Sequence, residues 1–177
     1  AINIGGGFQG ADPDIVNART TSVDAGASIT ADAGHAGDGG TVVLWSDKTT
    51  QFAGSISAHG GADAGQGGFV EVSGKKLLDF TGAVNLRAPM GRAGTLLLDP
   101  YNLTIASTGG NIAGTDATTD DSVLTVSALQ SALDAGNVLV TTGSSGSQAG
   151  NITVANSISW LSENTLTLRA ANDIAIN

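Results

Sequence analysis

Carboxylates are the commonest reactive groups in this chain, and they fall into small sets: Asp12 with Asp14, Asp32 with Asp38, and Asp116 with Asp120 and Asp121. Gathered around Ca²⁺ beside a basic residue such as Arg87 or Arg92, such a set could cleave an acidic polysaccharide. Aligning the repeats described below brings no set into one outward column, so these aspartates read as solvated turn residues. The fragments Gly37-Asp38-Gly39-Gly40 and Gly60-Gly61-Ala62-Asp63-Ala64-Gly65 resemble a glycine-aspartate calcium repeat, but the nine-residue period of that repeat is missing. His35 and His59 could share a corner and hold a metal. Two ligands do not make a site, and cysteine is absent. Gly143-Ser144-Ser145-Gly146 lacks the spacing of a nucleophile elbow. No phosphate-binding glycine loop opens a helix. The expectation is therefore no catalytic residue, no metal and no cofactor.

Trp45 and Trp160 are the remaining candidates, since exposed indoles stack on sugars. Alternation points Trp45 outward, where it either meets ligand or covers a neighbouring loop or the helix of residues 126–136.

The elements that carry these residues repeat. Gly39-Gly40-Thr41-Val42-Val43-Leu44-Trp45 returns as Gly67-Gly68-Phe69-Val70-Glu71-Val72-Ser73, and again as Ala93-Gly94-Thr95-Leu96-Leu97-Leu98-Asp99. Gly26-Ala27-Ser28-Ile29 returns as Gly54-Ser55-Ile56 and Gly82-Ala83-Val84, with Val23, Phe52 and Phe80 just ahead. Alternation of period two means strand. A spacing of about 26 to 28 residues means stacked coils. The expectation is an all-β, right-handed parallel β-helix with three walls per coil. Val42, Val70 and Leu96 form one inner column, and Ile29, Ile56 and Val84 another. One coil cannot bury its inner face alone, so stability comes from stacking.

In chain order, residues 1–20 form a leading strand and loop, and residues 21–98 the three-coil repeat. Its glycine-rich corners at 31–40, 58–68 and 87–94 share one edge. Residues 99–177 hold further coils. Residues 106–121 read as an irregular loop, and Val126–Asn137 as a short helix near 127–135, with Ser127 as N-cap and Gly136 past its end. Strands are expected at 151–154, 157–160, 165–168 and 173–176, with Ile152, Val154, Leu166, Leu168, Ile174 and Ile176 facing inward. The whole reads as one segment cut from a longer protein.

Composition agrees. Glycine contributes 26 of 177 residues, aromatics 4% and charged residues 13%, which suits a thin aliphatic core with many turns. A net charge of −9 argues against nucleic acid, whose phosphates need a basic patch. No apolar run is long enough to insert in a membrane, and no signal peptide opens the sequence.

Gly67-Gly68-Phe69-Val70-Glu71-Val72-Ser73-Gly74, followed by Leu96-Leu97-Leu98-Asp99-Pro100 and Asn102-Leu103-Thr104-Ile105, resembles the filamentous-haemagglutinin and high-molecular-weight adhesin family, the large exoproteins of two-partner secretion. Gly6-Gly7-Phe8-Gln9-Gly10, Val42-Val43-Leu44-Trp45 and Leu166-Thr167-Leu168-Arg169-Ala170 extend the likeness over nearly the whole chain. The resemblance implies a right-handed β-helix, secreted through an outer-membrane transporter to the bacterial surface. There it would act as an adhesin, a biofilm factor or a stalk. The family's Asn-Pro-Asn-Gly secretion motif is absent from this sequence. The expected role is a stiff rod displaying loops to a host cell surface, glycan or matrix. The loop residues expected to face a ligand are His35, Asp38, Trp45, His59, Asp63, Asp116 and Asp120. A stalk or end-to-end filament without ligand, and a polysaccharide-active enzyme, are the alternatives.

Overall fold

A computed structural model of the chain describes residues 1–108, 121–143 and 148–177. The fold is mostly β, every strand pair is parallel, and the chain visits its sheets in rotation. The first sheet is ordered β1 (Ile2–Ile4), β4 (Thr41–Ser46), β7 (Phe69–Gly74), β10 (Thr95–Leu98), β13 (Asn137–Thr141) and β15 (Leu166–Arg169). A second holds β2 (Thr20–Val23), β5 (Thr49–Phe52) and β8 (Leu77–Phe80). A third holds β3 (Ser28–Thr30), β6 (Ser55–Ser57) and β9 (Ala83–Asn85). The fourth runs β12 (Asp121–Thr125), β11 (Asn102–Ala106), β14 (Ile152–Val154) and β16 (Ile174–Ile176).

The register follows the sequence columns. Val42 pairs with Ile2 and Val70, Val70 with Leu96, Leu96 with Val138, and Val138 with Leu166. Ile56 lies between Ile29 and Val84. Phe52 lies between Val23 and Phe80, and the two phenyl centroids are 5.4 Å apart. Val42, Leu44, Phe52, Val70 and Val72 are fully excluded from solvent.

The repeated glycines have a steric reason. The Gly40, Gly68 and Gly94 carbonyls accept from Phe69, Thr95 and Asn137 N–H at 3.1, 3.0 and 2.9 Å. A Cβ at Gly68 would collide with the Gly40 carbonyl, and one at Gly94 with the Gly68 carbonyl. The column tolerates no side chain because backbone lies directly over backbone.

Several details differ from the sequence reading. The helix α1 spans Val126–Leu133, and its N-cap is Thr125, whose hydroxyl accepts from Ala128 N–H at 3.2 Å. Ser127, the expected cap, lies inside the first turn. Leu129 and Leu133, four apart, are fully buried on one face. The expected irregular loop, 106–121, is trimmed at both ends: Ala106 closes β11 and Asp121 opens β12, whose remaining residues 122–125 carried no expectation; Ser122 and Leu124, both buried, are the sequence signal for that strand. The rest of that loop, 109–120, and the corner residues 144–147 lie outside the described residues. No strand forms at 157–160. Ile174 and Ile176 keep register with Ile152 and Val154 but are 45% and 75% exposed, because no described strand covers β16.

Ile56→Ala removes a side chain that is 1% exposed at the centre of its column. It should cost about 2–4 kcal/mol, read as a lower urea midpoint with unchanged slope. Ser55→Ala, on an exposed position of the same strand, should cost under about 0.5 kcal/mol.

Candidate functional site

The corners between the third and first sheets stack on one another through their own backbones. Ala33 N–H donates to His59 O at 3.0 Å, Gly37 N–H to Ala64 O at 2.9 Å and Gly39 N–H to Gln66 O at 2.9 Å. One level on, Gly60 N–H donates to Arg87 O and Gly67 N–H to Arg92 O, both at 2.9 Å. Residues 31–40, 58–68 and 87–94 thus form one continuous edge, as the repeat implied.

Four of the expected loop residues belong to this edge. The His35 ring lies 3.9 Å from the Asp63 carboxylate, with side chains 97% and 75% exposed, an open pair screened by water. Asp38 accepts Gln66 N–H at 2.7 Å. His59 is held more firmly: its Nε2 lies 3.3 Å from Asp32, and its Nδ1 2.9 Å from Gly60 O. Asp32 also accepts the Ser57 hydroxyl at 2.6 Å and His59 N–H at 2.9 Å. Asp32 and Asp38 are therefore structural, each tying its corner to the next. The structure does not bring His35 and His59 together, and the described residues hold no cluster of three His, Cys, Asp or Glu suited to a metal. Asp116 and Asp120 lie outside the described residues.

Trp45 is not a ligand face. It is only 4% exposed. The leading segment folds back over the outer side of the first sheet, and Gly6 and Gly10 sit against the indole so closely that a Cβ on either would overlap it. Gly10 also has φ +62°, where a side chain is strained. Trp45 Nε1 donates to Asp47 at 3.2 Å. The alternation was right about direction; a loop covers the ring, and the helix does not. Trp160 donates Nε1 to Asn164 O at 2.8 Å and lies partly buried against the core.

Sequence reasoning missed Glu71. Alternation places it outward, beside Trp45 and Leu97 on the outer face of the first sheet. The same leading segment covers it completely. Gln9 N–H reaches its carboxylate oxygens at 3.0 and 3.3 Å, while the Gln9 side-chain amide donates to Asp99 at 3.1 Å. Among the described residues Gln9 is the one non-glycine residue with positive φ, 52°. Burial pushes the Glu71 carboxyl from an ordinary 4.5 up to about 7, the Asp99 charge adding to the rise and the Gln9 N–H opposing it. Burial also raises Asp79.

A cleft of about 680 Å³ opens at the end of the corner edge, between residues 87–93 and 163–165. Arg87 and Arg92 line one side and Glu163 the other. Asn137 bridges them: its amide donates to Ala93 O and Gly94 O at 3.0 and 3.1 Å and accepts Thr165 N–H at 2.9 Å. In so acidic a chain, two arginines five positions apart in one corner were the available signal for it.

No protein-family model matches the chain, and comparison with curated proteins gives no match. No helix among the described residues is long and apolar enough to cross a membrane.

The folded state binds a proton at Glu71 more tightly than the unfolded chain does. Stability should therefore be greatest below about pH 4.5 on this account and fall as pH rises to about 7, by on the order of 3 kcal/mol. Glu71→Gln should flatten that part of the profile and stabilise the protein at pH 8, measured by urea unfolding across pH; parallel profiles for the two proteins would contradict the assignment.

Proposed function

We propose that this chain is a rod segment of a bacterial surface exoprotein of the filamentous-haemagglutinin and high-molecular-weight adhesin kind, wound as a right-handed parallel β-helix. The observation that supports the reading most is the visiting order of the chain: first, second and third sheet in turn, three times over, each return landing one strand further along in unbroken register. Continuous ladders along one axis give stiffness. The outer corners are tied to each other, so they are held at fixed intervals of about 4.8 Å.

On this reading the protein is exported through the outer-membrane transporter of a two-partner system, and its corner edge meets a host cell surface, glycan or matrix. His35 and Asp63 are the most exposed polar pair on that edge. The role is presentation rather than catalysis.

Two measurements test it. Spin labels at the exposed positions Ser28 and Ala83, two strand steps apart, should lie about 10 Å from each other and broaden each other's spectra; absence of broadening would refute the winding. Binding to epithelial cells or matrix-coated wells should fall several-fold when corners 31–40 and 58–68 are replaced by short glycine-serine turns of matched span. Unchanged binding would refute a ligand role for that edge.

A second reading, end-to-end association of coils, is favoured by the exposure of Ile174 and Ile176 on an uncovered parallel strand. Sedimentation should then show concentration-dependent oligomers that Ile176→Lys abolishes.

A further inference from the structure

Corners that elsewhere sit one strand step apart are two steps apart at the cleft. The corner 87–94 leads into β10, and the connection 155–165 leads into β15; between them lies β13, whose own lead-in from α1 is only the short turn Asp134–Gly136. One level of the edge is therefore empty. Two steps of about 4.8 Å leave room for one extended strand paired with both sides.

The groups around this slot are those a polypeptide would use. Ala88 and Ala93 line it, and their N–H groups have no partner among the described residues. The Arg92 guanidinium has no side-chain partner among the described residues, and Arg87 spends one nitrogen on Asp134 O at 3.0 Å. Met90, within the same corner, is 68% exposed, and Leu161, two residues ahead of Glu163, is fully exposed. A sugar is less well served. The Asn137 amide is consumed in bridging the walls, the Asn164 amide donates to Leu133 O at 2.7 Å, and no aromatic ring lines the slot.

We propose that this slot binds an extended, carboxylate-bearing peptide segment of a partner protein, which fills the empty level of the edge by strand addition and sets its acidic side chains against Arg87 and Arg92. This deepens the reading of the corner edge as a display surface and rests on that reading for its purpose, though not for its geometry.

The test is fluorescence anisotropy of the 177-residue protein with a fluorescein-labelled octapeptide of alternating valine and glutamate. Saturable binding is expected, weakened at least about tenfold, or about 1.4 kcal/mol, by Arg87→Glu with Arg92→Glu. Both side chains are exposed, and the one bond lost is that of Arg87 to Asp134 O, so the melting temperature should fall by only a few degrees. An alternating valine–lysine octapeptide should fail against the native protein and bind the doubly reversed one. The proposal is overturned if the native protein does not bind the acidic peptide, if charge reversal leaves binding unchanged, or if oligogalacturonate displaces the peptide at lower concentration than unlabelled peptide does. Failure here with the spin-label broadening between positions 28 and 83 intact would remove the slot's partner and leave the stacked coils.

Discussion

A parallel ladder can lengthen only if each excursion of the chain returns one strand spacing further along. Everything in this structure depends on that return. It fixes the excursion length, so the sequence repeats at nearly constant intervals. It places like residues over like, so Val42, Val70 and Leu96 share a column. It also brings the corners within hydrogen-bonding distance of each other, and there glycine is required: the Gly40 carbonyl lies where a Cβ of Gly68 would be. The glycines let one backbone lie on the next.

What could be read from the sequence was what this return dictates. The inner columns, the glycine corners and the three-sheet rotation through residue 86 all follow from period-two alternation within a longer period. What could not be read was any contact made from outside the repeat. Trp45 and Glu71 alternate outward as expected, yet both are buried, because residues 6–10 fold back over that face. Nothing in their spacing announces a cover. The signal lies in the cover itself: three glycines at 5–7 and a fourth at Gly10, in a segment with too few apolar residues to be a strand of the core. The strand at 121–125 was lost for a different reason. It follows a polar stretch, and only Ser122 and Leu124 mark its buried face. Of the candidate site, the stacked corners were legible, while the cleft beside Arg87 was not, because it arises from a connection that is missing rather than from a motif that is present.

The covered outer face carries a cost that the inner columns do not. Glu71 is wholly enclosed, and its carboxyl is held against Gln9 N–H while Asp99, bonded to the same residue's side chain, stands nearby. Enclosing a carboxylate beside a second one disfavours its charge. Thr141 offsets part of this by donating to Asp99 at 2.7 Å. The backbone of Gln9 accepts a left-handed conformation so that both of its donors reach the two acids at once. Position 9 therefore fixes where the leading segment lies on the sheet. An aliphatic residue there would leave Asp99 with Thr141 as its one side-chain donor among the described residues, while Glu71 stayed covered.

The interruption by α1 and the slot beside it have one geometric origin. A helix is about 10 Å across, close to two strand steps of about 4.8 Å. Where α1 replaces a strand, it is about two levels thick. The first sheet supplies only β13 between β10 and β15. The fourth sheet supplies β12 and β11, which lie in reverse chain order between β8 and β14: Leu78 N–H of β8 donates to Ser122 at 2.9 Å, and β11 then pairs with β14. The chain therefore overshoots into β11 and then lays β12 underneath before the helix begins. That extra strand keeps the second face level with the helix. The corner edge receives no such filler, since the helix ends at Leu133 and reaches β13 through a turn of only Asp134–Gly136. One strand's worth of edge is left open where Arg87, Arg92 and Glu163 stand, and the same mismatch in thickness that forces the detour through β12 makes the slot.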